Sequence, residues 1–323
     1  MLECPFVMRY RLSMELDSLS SVFMRLRLNA SFQNSFSAAG RWRIEVPAHK
    51  GIKIHTILKG QCWLSVADDP EPKQLQEGDC YLLPRGSGFV VTSHPSVPEQ
   101  VSGQEVVMRS NRGISTINGG GDCLVSGLFF DFESPLADIL FQSLPPFVMV
   151  PAATNQASEL HVNIKRFAAE FHGSSPGRSL IMYQLAPVIL VDIIRTYLSE
   201  QPANATWFGA LSDNDLSKVL NLMHTEYERR WTLEDLADSA AVSRSKLAAR
   251  FRSTVGIPPM EYLCRWRMEI ARELLANGER SITEVSRMVG YESESAFSAA
   301  FRRILNRRPG YYQKRKSSAD ASG

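Results

Sequence analysis

Arginine, serine and alanine side chains recur on matching sides of two short helical stretches near the C-terminus, where the arginines suit recognition of a polyanion. In the first stretch Arg244, Ser245, Ala248, Ala249 and Arg252 are left on the outside or its margins, while Leu247 and Phe251 face inward. In the second, Glu294, Ser295, Ser298, Ala299 and Arg302 lie opposite Phe297, Phe301 and Leu305. Guanidinium groups on such faces donate to phosphate oxygens and base edges. Helices this rich in Ala and Ser make few bidentate base contacts, so no operator can be read off residue by residue.

Each outer face needs a device that holds it. Ser281 and Glu284 have the spacing of a capping box, and Ile282, Val285 and Val289 follow as one apolar stripe. Gly290 can take the positive φ of a tight turn between two steeply crossed helices, and Asn306 and Pro309 stop the second helix. About fifty residues earlier Thr232 and Asp235 repeat the capping pair, Leu233, Leu236 and Ala237 the stripe, and Ser243 the cap of the next helix. Ala241 stands where the other copy has Gly290, a less permissive turn. Between the copies Pro259 opens a long helix carrying Tyr262, Leu263, Trp266, Met268, Ile270, Ala271, Leu274 and Leu275, which Asn277 and Gly278 end. A helix this apolar is predicted to be a buried, rigid spacer. The basic residues Arg302, Arg303, Arg307, Arg308, Lys314, Arg315 and Lys316 come next, and the whole reads as a DNA-binding unit.

This stretch resembles the DNA-binding domain of AraC family transcription regulators. The resemblance is carried by Trp231-Thr-Leu-Glu-Asp-Leu-Ala, Ser243-Arg-Ser-Lys-Leu-Ala-Ala-Arg-Phe, Gly256-Ile-Pro-Pro-Met-Glu-Tyr-Leu, Arg265-Trp-Arg-Met, Val289-Gly-Tyr-Glu-Ser-Glu-Ser-Ala-Phe and the closing Arg308-Pro-Gly-Tyr-Tyr. It implies a seven-helix domain with two helix-turn-helix units, each placing its second helix in a major groove.

The 323 residues suffice for two domains. A net charge of +2 would be weak for a nucleic-acid partner if spread evenly, but residues 207–316 hold 19 basic against 14 acidic groups, a net of +5 that leaves −3 for the rest. The five cysteines Cys4, Cys62, Cys80, Cys123 and Cys264 are scattered and form no C-x-x-C pair, which argues against disulfide or zinc frameworks and for a reducing cytoplasm; the AraC resemblance implies a bacterial one, with nucleoid association when DNA is bound. No contiguous apolar run reaches the roughly 18 to 20 residues needed to span a bilayer, so no membrane partner is expected. Residues 1–12 do not read as a signal peptide, and organised patterning begins at Met14, which competes with Met1 as the start.

A short amphipathic helix is expected within 15–28, packed across the outside of the strands that come after it. From 32 to 132 the pattern changes to short β-type runs, at Arg41 to Val46, Ile52 to Leu58, Cys62 to Val66, Cys80 to Leu83, Phe89 to Thr92 and Leu124 to Phe130, with turn residues between them. Leu58-Lys-Gly-Gln-Cys-Trp-Leu followed by Gly78-Asp-Cys-Tyr-Leu-Leu-Pro-Arg-Gly resembles the two turns of a cupin barrel. That resemblance implies an inner face bearing Lys53, His55 and Ile57. With Trp63, Tyr81 and Phe89, Lys53 and His55 are the candidate contacts for an unidentified small-molecule effector. A metal-binding cupin would need further histidines. Here His49 and His55 stand alone and Phe89 takes the place of the later one, so no metal or cofactor is expected. The Gly119-Gly-Gly-Asp run has no Lys-Ser/Thr after it and reads as part of an irregular loop over 111–122 rather than a phosphate cradle.

Helical periodicity returns at Leu136 to Leu140 and from Asn155 to Ser199, where Pro187 is expected to kink the second long helix. The broad stripe from Val188 to Tyr197 can cover the barrel and leave a strip for a second subunit, hence a homodimer. The expected organisation is α+β and multidomain. It comprises a cupin-like sensor over 1–200 (barrel 15–132, helices 136–200), a linker over 201–210, an all-α DNA-binding domain with two helix-turn-helix units over 211–316, and a disordered tail over 317–323. The resemblance implies promoter DNA and a small effector as partners, with RNA polymerase a further candidate, and no catalytic constellation is present. A metal-free cupin enzyme fused to a DNA-binding domain, or a ligand-independent architectural binder, are the alternatives.

Overall fold

Period-two alternation sorts the N-terminal strands into two facing sheets. The computed structural model describes residues 17–313 apart from 27, 32–34, 99–100, 103–113, 133, 155–157 and 201–205. Met14, Lys314, Arg315, Lys316, residues 201–205 of the linker and the tail therefore lie outside the described residues. One sheet has the order β10-β2-β11-β4-β7-β12, built from Ile114–Ile117, Ser35–Ala38, Cys123–Asp131, Ile52–Lys59, Cys80–Leu83 and Val148–Val150, with β1 (Asn29–Ser31) also on β11. The other has the order β6-β5-β8-β3-β9, from Asp69–Gln76, Gln61–Val66, Phe89–Thr92, Arg43–Val46 and Val101–Ser102.

The six expected strand runs are all present. The sequence does not reveal β6, whose Asp69-Pro-Glu-Pro start carries almost no apolar pattern. It lies at a sheet edge, where proline costs no ladder bond. Residues 114–117, expected to be loop, form β10 instead, because this strand pairs in parallel with β2 through contacts the local sequence does not announce.

Between the sheets lies an inner core that includes Trp42, Ile57, Leu64, Tyr81, Phe89 and Val125. Ile52, Ile54, Cys80, Leu82, Leu128 and Phe130 face the other way, onto helices. The helices are α1 (Ser18–Leu26), α2 (Pro135–Gln142), α3 (Ser158–His172) and α4 (Arg178–Glu200). Pro187 lies inside α4, and that helix is long and apolar enough to cross a membrane by length and composition, since only Asp192 and Arg195 interrupt its apolar stretch. Half of that stretch is buried in the fold.

The C-terminal helices are α5 (Trp207–Ala210), α6 (Asn214–Thr225), α7 (Leu233–Ser239), α8 (Arg244–Val255), α9 (Pro259–Asn277), α10 (Ile282–Met288) and α11 (Glu294–Leu305), with a last helical turn over 309–313. Two expectations need correction. Residues 207–210 are not linker, because Thr206 caps a helix whose four residues are all buried and whose Trp207 donates to the Tyr262 hydroxyl at 3.1 Å. Nor does α1 simply lie on the barrel. It packs against α6, and its Arg25 reaches α9, pairing with Glu273 at 2.8 Å and lying 5.2 Å from the centre of the Trp266 ring.

A single apolar core therefore runs from the outer face of the β4 sheet through the sensor helices into the C-terminal domain. Where α2 meets α9, Ser134 caps α2 and its hydroxyl donates to Glu269 at 2.8 Å. Glu269 also accepts from Arg272 at 2.6 Å, and all three residues are buried.

Candidate DNA interface and effector site

The two helices expected to read DNA, α8 and α11, are set by the same local devices. Thr232 with Asp235, and Ser281 with Glu284, form complete capping boxes at the starts of α7 and α10. Ser243 and Ser293 cap α8 and α11 by accepting from the amides of Lys246 and Ala296. In the turns Ala241 has φ +53° and Gly290 has φ +79°. Gly290 is needed twice over, since a Cβ there would also sit 2.5 Å from the Glu228 carbonyl oxygen. The left-handed Ala241 confirms that the first turn runs through the less favoured residue.

Leu247, Phe251, Phe297 and Phe301 are buried. Of the outer residues, Arg244, Ser245, Ala249, Arg252, Glu294, Ser295, Ala299 and Arg302 are exposed, and Ala248 and Ser298 are half-buried at the margins. Arg244 has only a 3.9 Å approach to exposed Glu234, and Glu294 accepts from Thr283. Other arginines serve the fold. Arg250 pairs with Asp213 and with Asp215 at the start of α6, and Arg303 pairs with Glu261 of α9 at 3.0 Å. Arg302, Arg307 and Arg308 line an open hollow of about 480 Å³ with Asn306, Gly310 and Tyr311. Lys246, on the first turn of α8, is exposed beside Ser245, and its position one residue further along was the signal available in the sequence.

Connector α9 touches both halves of this device and the sensor, contacting α2, α6, α8, α10 and α11. Its buried face carries Tyr262, Leu263, Trp266, Ile270 and Leu275. His224 of α6 stacks 3.9 Å from Trp266, and its Nε2 lies 2.8 Å from the Tyr262 hydroxyl. Burial pushes the His224 imidazole down to about 3, so it is neutral there.

Inside the barrel β4 presents Lys53, His55 and Ile57 to the inner face, as the alternation requires. Tyr81 of β7 sits directly across from His55, with ring centres 5.1 Å apart, and Phe89 of β8 lies 5.7 Å from the same imidazole. Lys53 Nζ lies 5.1 Å from the centre of the Phe89 ring. Trp63 does not join this group. Its neighbours Cys62 and Leu64 point inward, so the period of two turns the indole to the outside, edge-on to His94. His49, expected to stand alone, closes on the cluster instead, 6.2 Å from Phe89 and 6.3 Å from Phe129. It arrives on the β3–β4 loop, pinned by a bond from its amide to the Gly86 carbonyl, and no local pattern marks that approach.

Burial pushes Lys53 down to about 8. Burial first, and the Lys53 charge second, hold His55 at about 3 and His49 at about 4. Among the described residues no group of three or more His, Cys, Asp or Glu is arranged to hold a metal. The Cys62 and Cys123 thiols, far apart in sequence, act on each other inside the barrel, which lowers the Cys123 pKa and raises that of Cys62.

A barrel sensor sharing one core with a double helix-turn-helix unit defines a DNA-binding regulatory protein. A family model described as cupin matches residues 17–199, and one described as helix-turn-helix domain matches residues 236–315. A putative AraC-like transcription regulator of Streptomyces lividans is 38% identical over 93% of this chain and 98% of its own length. The HTH-type transcriptional regulator AlkR of Acinetobacter baylyi is 28% identical over 93% of this chain and 99% of its own. ToxT of Vibrio cholerae, a solved structure, matches at 14% identity over 88% of this chain and 96% of its own, with a TM-score of 0.35. The chain belongs to the AraC-type transcription regulators, DNA-binding proteins with an N-terminal cupin domain in this instance.

Proposed function

We propose that this regulator reads promoter DNA with α8 and α11 held as one rigid head, and that a small organic molecule in the barrel sets its activity through α9. The observation that carries this reading is the placement of α9, which packs on both helical pairs and is gripped from the sensor by Ser134 and Arg25. A connector fixed on all sides supports the entry of the two reading helices into successive major grooves, about 34 Å apart along the duplex. Arg244, Ser245, Ala248, Ala249 and Arg252 face one groove, and Glu294, Ser295, Ser298, Ala299 and Arg302 the next. Unlike faces make a single site asymmetric.

In this reading the sensor spans 1–200 and the DNA-binding domain 211–316, with α5 joined to the latter. The chain acts in the cytoplasm on the nucleoid, and RNA polymerase is its further partner. The barrel binds rather than catalyses. Exposed Val162, Leu180, Tyr183 and Val188 on α3 and α4 provide an apolar strip for pairing two sensors.

The test is a footprint of the purified protein on its own promoter region, with five base pairs inserted between the two half-elements. Such an insertion turns the second groove to the far side of the duplex, so binding should collapse, while an insertion outside the site is tolerated. Unchanged affinity after the half-turn insertion would show that the two pairs do not act as one reader.

A further inference from the structure

Among the described residues, the barrel interior buries a cation without an acid. Lys53 is 8% exposed, and its ammonium group lies over the face of Phe89. No salt bridge among the described residues includes it, and no carboxylate contributes to the shifts of Lys53, His49 or His55. On the same inner face three buried polar atoms have no hydrogen-bond partner among the described residues, namely His55 Nδ1, Tyr81 Oη across from it, and His49 Nε2. His55 is 3% exposed and Tyr81 fully buried. Buried polar groups left unpaired are costly, and several converging on one place with a lysine call for a common partner.

The chemistry of the four groups says what that partner is. An ammonium, a phenol and neutral imidazoles can all donate, so together they match an oxyanion. The walls beside them are apolar and aromatic. Phe89 faces the cluster from β8, Phe129 stands opposite Lys53 on β11, and Gly127 brings no side chain to the wall opposite His55. Half-buried His49 places the cluster toward the β3–β4 end of the barrel.

We propose that Lys53, His55, Tyr81 and His49 form an anion site that takes the carboxylate of an organic acid, with the aromatic walls holding its apolar body. This rests on the reading of the barrel as the effector domain and names the class of effector.

The site carries a pH signature. Among the described residues the titratable groups that act on Lys53 are His49 from the loop and His55 on its own strand, with Tyr81 of β7 across from His55, while Phe89 of β8 and Phe129 of β11 carry no charge. Both imidazoles titrate far below neutrality and the phenol, which also feels the Cys62, Cys80 and Cys123 thiols, is pushed well above its ordinary range, so of the four site groups Lys53 alone changes charge between pH 6 and 9. Carboxylate binding should weaken toward a tenfold loss per pH unit once the pH passes about 8, with uptake of a proton by the complex.

The experiment is calorimetric titration of the full chain, at fixed chloride, with benzoate, decanoate and formate, each against its neutral amide. At least one acid should bind at least tenfold more tightly than its amide. Lys53→Met should remove that preference, while Tyr81→Phe should weaken it several-fold. Circular dichroism and promoter binding of each variant report whether it has folded. Equal binding of acid and amide across the series, or an unaltered preference in Lys53→Met, overturns the proposal. Saturation by chloride in place of every acid overturns the organic class. The parent reading fails separately. If an acid binds at Lys53 but promoter occupancy never changes, the site stands and effector control falls. If occupancy responds to a molecule that Lys53→Met still binds, control stands and this site falls.

Discussion

Removing the Glu269 carboxylate should be among the most damaging single changes in the C-terminal domain, because it would strand a buried charge. Arg272 is 3% exposed, and Glu269 is its ion-pair partner, met by Nε at 3.1 Å and Nη2 at 2.6 Å. Glu269→Ala leaves that guanidinium buried and unpaired and also removes the acceptor for Ser134, at an expected cost of about 3 to 5 kcal/mol. Ser134→Ala removes a donor to a charged group together with the cap of α2, and should cost about 2 kcal/mol. Replacing both charges, as in Glu269→Leu with Arg272→Met, should recover most of the loss, since an ion pair buried this deeply contributes little net stability over well-packed apolar side chains. Urea denaturation followed by tryptophan fluorescence measures all three. Glu269→Ala within about 1 kcal/mol of the parent, or a double variant as unstable as the single one, would refute the reasoning.

The two turns should respond in opposite senses. Gly290→Ala should cost roughly 2 to 4 kcal/mol through the positive φ and the contact with the Glu228 carbonyl, whereas Ala241→Gly should be neutral or stabilising by up to about 1 kcal/mol, both read as shifts in thermal midpoint. Arg302→Ala should weaken promoter binding without loss of fold and lower the salt slope of log Kd by about one if it meets phosphate alone. Arg244→Ala should likewise weaken binding, and isotherms matching the parent for both variants would remove these faces from the interface. Acid should destabilise the protein early. His49, His55 and His224 are held at about 4, 3 and 3, below the ordinary value of 6.5, so their contribution is present above pH 6.5 and is lost as the pH falls toward 4. Unfolding free energies from urea titrations between pH 7.5 and 4.5 should fall by up to about 1.4 kcal/mol per pH unit for each histidine, and a flat profile over that range would contradict their burial.

The sequence by itself determined the parts whose physics is local. A capping box at Ser281 and Glu284, a glycine at a turn, and Leu and Phe at helical spacing are decided by backbone hydrogen bonds and by neighbours within one or two turns of helix, so both reading heads and the apolar connector were legible with their outer faces. Period-two alternation likewise assigned Lys53 and His55 to the barrel interior. What it could not reach was decided by partners far away in the chain. β10 exists because β2 offers a parallel edge, Trp63 faces outward because its neighbours are drawn into the core, and His49 meets Lys53 only when the loop before β4 folds back under Gly86. The coupling of the two domains is of the same kind. Nothing near Arg25 or Ser134 shows that they end on Glu273 and Glu269, because a contact between residues more than a hundred positions apart is fixed only when the complete core has closed.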